Sequence, residues 1–247
     1  MKYFILGIVG ITMLQANPRE SNIYKETGRI LVFSKTDGFR HDSIEPGKDA
    51  LIQLGMQHGV RVDTTEDAVL FTGANLSRYD AIVFLNTSET VFNDDQRMAF
   101  KQYIRNGGGF AGIHAASATE YEWPWYHNMI GASFDNHPSN PAVRNADVEV
   151  VDPDHRSTRH LPERWNRDDE WYNFRNKNPK VNVLLKLDTD SYEGSDHPGN
   201  HPIAWYHEYE EGRIFYTALG HTIESFSEEK YLKHLWGGIE YAMGRGP

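Results

Sequence analysis

The chain carries compact apolar runs at regular intervals, and segments with helical character separate them. Arg29 to Ser34, Tyr79 to Leu85 and Phe110 to Ile113 are apolar at successive positions rather than at alternate ones. A strand wetted on one face alternates apolar and polar residues. A continuous run is expected where both faces are covered, as in a parallel sheet between helices. Val60 to Asp63 is read as a further strand, between the first two of these runs. Between them, Pro46 can open a helix whose stripe is Ala50, Leu51, Leu54 and Met56, with Gly59 as its C-cap. A short helix is expected over residues 65–71. Asn93-Asp94-Asp95-Gln96 supplies a cap and an acidic first turn, Met98, Phe100, Tyr103 and Ile104 a stripe, and Gly107-Gly108-Gly109 a stop. Strand, helix and strand at this spacing imply right-handed crossovers and an α/β sheet.

The pattern loosens after residue 120. Val148 to Val151 and Val181 to Leu185 read as strands. Ile203 to His207 and Arg213 to Thr217 flank Glu210-Glu211-Gly212 and form an expected hairpin, and Glu228 to Met243 is a closing amphipathic helix. The length of 247 residues suits one large domain, placed at 29–245. Before it, Lys2, the apolar run Tyr3 to Leu14 and small Ala16 are read as a signal peptide over 1–16, with a polar linker over 17–28. A secreted or periplasmic protein is therefore expected. The run is short for a membrane span, so no stable membrane insertion is expected. The net charge of −10 argues against nucleic-acid partners, which need a basic footprint. The absence of cysteine excludes disulfides, thiolate metal sites and a thiol nucleophile.

In an open parallel sheet, ligands bind beyond the carboxyl ends of the strands. Thr36, Asp37, Arg40, His41 and Asp42 follow the first strand, and Asn86, Thr87, Ser88 and Glu89 follow the third. His114 ends the fourth, and Gly220, His221 and Thr222 follow the hairpin. Three histidines at three strand ends point to one crevice. His114 stands in a turn of small residues, Gly112-Ile113-His114-Ala115-Ala116, that can hold one side chain up into a pocket. His114 and Glu170 are the candidate catalytic groups. Arg40, His41, Asn86, Thr87, Trp171 and His221 are candidate substrate contacts. His41, His114 and His221 are candidates for a zinc-like divalent metal. Asp168-Asp169-Glu170 can equally be a solvated acidic turn before a strand. The histidines of Asn136-His137-Pro138, Asp152-Pro153-Asp154-His155 and His197-Pro198-Gly199-Asn200-His201 are given the ordinary role of loop residues bonded to their own backbone. Trp123, Trp125, Tyr126, Trp171 and Tyr172 can form a sugar platform, with at least half of them expected in the core.

Four motifs stand in order along the chain: Thr36-Asp37-Gly38-Phe39-Arg40-His41-Asp42-Ser43-Ile44, the segment Gly107 to Ala116, Asp169-Glu170-Trp171-Tyr172, and Gly212 to Thr222. Together they resemble the trehalose-utilisation (ThuA-like) family. The resemblance runs from about Ile30 to Met243. It implies a flavodoxin-like three-layer sandwich with a mainly parallel central sheet, of the class I glutamine-amidotransferase-like type. His114 would then stand at the elbow where amidotransferases carry their cysteine, which removes thiol-based glutamine hydrolysis. His41, His114, Glu170 and His221 match the family's motif positions. The resemblance further implies disaccharide catabolism, including keto-sugar derivatives, and a small-molecule carbohydrate partner. Three readings stay open. One is an enzyme acting on a sugar derivative by acid–base or metal-assisted chemistry. The second is a non-catalytic carbohydrate-binding protein, and the third a partner of a secreted sugar oxidoreductase. A homo-oligomer is compatible with each.

Overall fold

The apolar runs become neighbouring strands. The computed structural model describes Met1 and residues 26–246. The expected signal peptide and most of the expected linker lie outside the described residues, and Gly28, assigned to that linker, already opens the first strand.

β1 (Gly28–Phe33), β2 (Val60–Thr65), β3 (Ala81–Leu85) and β4 (Gly109–Ile113) pair in parallel in the order β2-β1-β3-β4. α1 (Ile44–His58), the single turn α2 (Gly73–Leu76) and α3 (Asp94–Arg105) make the crossovers. The helix ends follow the local signals. Gly59 closes α1 at φ 69°, and Asn93 opens α3 with a capping box in which the Gln96 side chain reaches back to the Asn93 N–H. The expected helix over 65–71 is a 3-10 turn at Ala68–Leu70, capped by Asp67. Every residue of β3 and β4 is buried. Each large side chain buried there contributes roughly 1.5–3 kcal/mol. Gly109 is required where it stands, because a Cβ would collide with the Ala242 carbonyl of the helix packed behind it. Met56 and Met98, expected in the helix stripes, instead face solvent, with 63% and 70% exposure.

Beyond β4 the chain forms α4 (Pro124–Ile130), β5 (Ser133–Asn136), β6 (Val143–Val150), β7 (Arg164–Glu170), β8 (Asn173–Arg175), β9 (Asn182–Leu187), β10 (His201–Tyr209), β11 (Gly212–Thr217) and α5 (Glu229–Ala242). β10 and β11 are the expected hairpin, and β11 returns to lie parallel beside β4. β10, β9, β6 and β7 then continue the sheet antiparallel, giving nine strands in the order β2-β1-β3-β4-β11-β10-β9-β6-β7. The expectation of a mainly parallel sheet is therefore corrected. β11 is the last strand in the parallel set, and the arm beyond it is built from hairpin-like returns that need no crossover helix. A separate two-stranded sheet pairs β5 with β8.

The acidic stretch 168–170 is not a turn before a strand; it ends β7. That strand is last in the sheet order, yet it touches the segment that follows β11. The Trp165 indole N–H donates to Glu228 at 2.9 Å, and Arg167 donates to the Ser225 hydroxyl at 2.7 Å. The antiparallel arm thus coils back over the carboxyl ends of the parallel strands, as twisted sheets do. No described helix is long and apolar enough to cross a membrane.

Candidate functional site

The strand ends converge. His41 lies in the loop after β1, His114 immediately after β4 and His221 three residues beyond Ala218, which follows β11. With Glu170 at the end of β7 they present four ligand atoms that all lie within 4.8 Å of one another. His41, His114 and Glu170 are buried and His221 is partly exposed.

Backbone geometry aims His114. It has φ 47°, the left-handed region that non-glycine residues seldom occupy, where the chain turns sharply from β4 into a 3-10 turn at His114–Ala118. Asn86 (φ 50°) and Glu89 (φ 58°), after the adjacent strand β3, share this conformation. The turn is locked from several sides. The Asn86 side-chain oxygen accepts from the Ala115 N–H at 3.2 Å, and the Tyr216 hydroxyl donates to the His114 carbonyl at 2.9 Å.

One contact fixes the chemistry of the His114 ring. Its Nδ1 lies 2.6 Å from the Ala218 carbonyl oxygen, which can only accept, so Nδ1 carries the proton. In the neutral ring Nε2 is then a bare lone pair. It faces the Glu170 carboxylate at 3.3 Å and His221 Nδ1 at 3.3 Å, while His221 Nδ1 is 3.1 Å from the same Glu170 oxygen. These acceptors repel unless a cation or a shared proton stands among them.

His221 is placed by Asp169. This fully buried carboxylate accepts from the N–H groups of Glu170 (3.0 Å), Gly220 (3.0 Å) and His221 (3.1 Å), and from the Arg167 guanidinium at 3.0 Å. Arg167 is itself held between the rings of Trp165 and Tyr231, at 4.6 and 5.1 Å. Below the cluster, the Tyr172 ring lies 4.0 Å from that of His114.

The protonation states follow. Burial, and then the neighbouring His114 and His221, push His41 down to about 2, so it is neutral. Its Nδ1 is buried and has no hydrogen-bond partner among the described residues. Burial alone would raise the Glu170 carboxyl, but His114 and His221 hold it well below the usual carboxylate range. Burial alone would lower His221, but Glu170 raises it above its ordinary value.

A cavity of about 270 Å³ opens over the cluster. His41, Glu170 and His221 line it together with Phe39, Tyr121, Phe134, His137 and Tyr172. Larger hollows exist elsewhere, including one of about 580 Å³ beside α1 and α5, but none of the clustered groups reaches them. Four candidates expected to touch substrate are placed differently. Trp171 is fully buried and its indole donates to the Arg144 carbonyl, so no face is free. Arg40 points outward to Glu45 and Glu66. Asn86 is used up by Ser43, Gly220 and Ala115, and Thr87 by Thr119. Of the proposed sugar platform, only Tyr172 lines the cavity.

His137, expected to bond its own backbone, does so through Nδ1 to the Pro138 carbonyl at 2.8 Å, and the same Nδ1 also comes within 3.3 Å of Glu170. Its sequence neighbours carry no signal of this, because the approach depends on how the loop after β5 crosses the arm. His155, by contrast, bonds locally to Ser157, and His201 is a buried support that donates to the Tyr172 carbonyl.

Comparison with known proteins gives one consistent answer. The model of the family described as trehalose utilisation (ThuA) matches residues 29–242. A ThuA-like protein from Bacteroides uniformis ATCC 8492 superposes with a TM-score of 0.73 at 25% identity, over 94% of this chain and 95% of that one. A ThuA-like protein from Parabacteroides merdae ATCC 43184 gives 0.64 at 18%, over 88% and 90%. A GMP synthase subunit from Thermoplasma acidophilum gives 0.52 at 12%, over 87% and 94%, a likeness of fold alone. No curated protein matches the chain.

Proposed function

This chain belongs to the trehalose-utilisation (ThuA) family, and we propose that it is an enzyme acting on a sugar derivative at a divalent, first-row metal held by His41, His114, Glu170 and His221. The observation that carries the reading is the locked tautomer of His114. It leaves a lone pair, a carboxylate oxygen and a second imidazole nitrogen facing one another at 3.1–3.3 Å. Ligand atoms around a tetrahedral metal with bonds of about 2.0–2.1 Å are about 3.3–3.4 Å apart, so the spacing of His114, Glu170 and His221 fits such an ion, with His41 as a fourth donor within 4.8 Å. So does the donor set of imidazoles and a carboxylate. A bound metal would supply Lewis-acid polarisation of a sugar oxygen or carbonyl.

The chain's own groups do the rest. Ala218 orients His114, and Asp169 orients the turn that carries His221, as partners behind metal ligands do. Glu170 is ionised and offers its second oxygen towards His137. A second reading is favoured by the raised proton affinity of His221. In it, a proton on His221 Nδ1 bridges Glu170 and His114, and the cluster works by acid–base exchange without metal.

The strand order and the likeness to the GMP synthase protein support reading the fold as flavodoxin-like, of the glutamine-amidotransferase type. The left-handed turn at His114 supports its place at that fold's elbow. With no cysteine anywhere in the chain, glutamine hydrolysis by a thiol is closed to it. The signal peptide and export from the cytoplasm belong to the same proposal and rest on Lys2 and the run Tyr3 to Leu14.

Metal analysis of protein purified without chelator tests the main reading. One zinc-like ion per chain, and turnover of a keto-disaccharide that is lost on chelation and regained with metal, is the expected result. A folded, metal-free protein that turns over the same substrate would move the assignment to the acid–base reading. Saturable sugar binding with no turnover under either condition would leave a binding protein.

A further inference from the structure

The cavity has a mouth as well as a floor, and the mouth is chemically one-sided. Phe39 is 69% exposed, an unusual place for a phenylalanine beside a polar cluster. It is held there. The Ser88 hydroxyl donates to the Phe39 carbonyl at 2.9 Å, and the Asp37 N–H donates to the Ser88 carbonyl at 3.0 Å. The ring meets His41 edge to face at 4.8 Å. An exposed aromatic ring fixed in advance loses little freedom when a sugar face stacks on it.

Glu89 is the second feature. Its backbone is locked in the left-handed region at φ 58°, with its N–H donating to the Ala118 carbonyl and its own carbonyl accepting from the Glu120 N–H, both at 2.9 Å. Among the described residues its exposed carboxylate has no hydrogen bond or ion pair. The cavity lining contains Glu89 and Glu170 but neither lysine nor arginine. The nearby Arg40 in the loop after β1 is already committed to Glu45 and Glu66. The third feature is size. About 270 Å³ falls just below the usual range of about 300–1,000 Å³ for drug-sized ligands, which leaves room for one sugar ring.

We infer that this mouth selects an uncharged saccharide and admits one ring of it, with Glu89 turning away phosphorylated or acidic sugars and Phe39 stacking on the ring that stays outside. The inference rests on the sugar-directed reading above and specifies its substrate. A phosphate or carboxylate held at the rim would meet Glu89 before it reached the floor of the cavity, while Arg175, over the Tyr121 ring at 5.4 Å, is paired with Asp135 at 3.7 Å. A disaccharide would leave its second ring at the rim, over Phe39.

Calorimetric titration of the protein as purified tests this with glucose, trehalose, glucose 6-phosphate and glucuronate, with metal content measured on the same samples. Glucose and trehalose should bind, and the two charged sugars at least about tenfold more weakly. Glu89→Gln should close that gap. Phe39→Ala should weaken trehalose about five- to tenfold and glucose less. Equal binding of charged and neutral sugars by the unmodified protein overturns the inference. So does a Glu89→Gln or Phe39→Ala variant with unchanged ratios, and so does a protein that binds none of the four, with or without metal. A protein that carries no metal overturns the metal reading alone, because each variant is compared with the unmodified protein at equal metal content, where only the Glu89 or Phe39 contribution differs.

Discussion

The two halves of the sheet serve the same cavity by different means. In the parallel half, His41, His114 and His221 each follow the carboxyl end of a strand, and β1, β4 and β11 point the same way. Connectivity alone gathers them on one rim. In the antiparallel half, Glu170 ends the edge strand β7, with β10, β9 and β6 standing between it and β11 in the sheet order. It reaches the histidines only because the arm coils back and docks through Trp165, Arg167 and Asp169. One half therefore supplies imidazoles by topology, and the other supplies charge by curvature.

The most severe test of this division falls on the parallel half. His114→Ala should lose the stoichiometric metal, with affinity down more than about 100-fold, and reduce turnover to background. Metal analysis and circular dichroism read the two effects separately, and full metal retention would show that the parallel half is not what holds it.

The arm is tested next. Asp169→Ala strands the Gly220 and His221 N–H groups and leaves Arg167 without its buried carboxylate. A loss of about 3–5 kcal/mol is expected in urea unfolding. A loss under about 1 kcal/mol would mean that the arm docks by other contacts.

Acid should weaken both halves. Burial lowers His234, behind β11, to about 3 and His201, in β10, to about 4. Their unfolded values lie near 6.5. The neutral forms therefore contribute stability fully above pH 6.5, and it is lost as pH falls from there towards 4 and 3, because the unfolded chain binds the extra protons. The slope is roughly 1.4 kcal/mol per pH unit for each histidine within its window. Melting temperature followed from pH 7 to 4 should fall steadily, and a flat profile would contradict the burial of these rings in neutral form.

Smaller effects separate the displaced candidates from the site. Trp171→Phe removes one buried hydrogen bond, to Arg144, and should cost about 1 kcal/mol with sugar binding unchanged. Arg40→Ala breaks exposed ion pairs and should cost less than about 1 kcal/mol. A tenfold loss of sugar affinity in either variant would return that residue to the substrate contacts.

Local signals in the chain were enough to specify the parallel half. Unbroken apolar runs require a sheet covered on both faces. The cap at Asn93 and the stop at Gly59 set helix ends, and the hairpin around Glu210-Glu211-Gly212 follows from its turn residues. Because these signals are local, three of the four cluster residues could be placed from strand ends alone. The rest emerged only in the folded molecule: that Asp168-Asp169-Glu170 ends a strand, that His137 crosses to Glu170, that Trp171 and Arg40 turn away, and that an Ala218 carbonyl fixes the His114 tautomer. The approach of Glu170 and His137 depends on how far a twisted sheet coils before its last strand closes on the first half, whereas Arg40 is drawn off by Glu45 and Glu66 and Ala218 meets His114 across the neighbouring strands β11 and β4. The coiling angle is set by packing summed over many residues, and no short stretch of sequence encodes it.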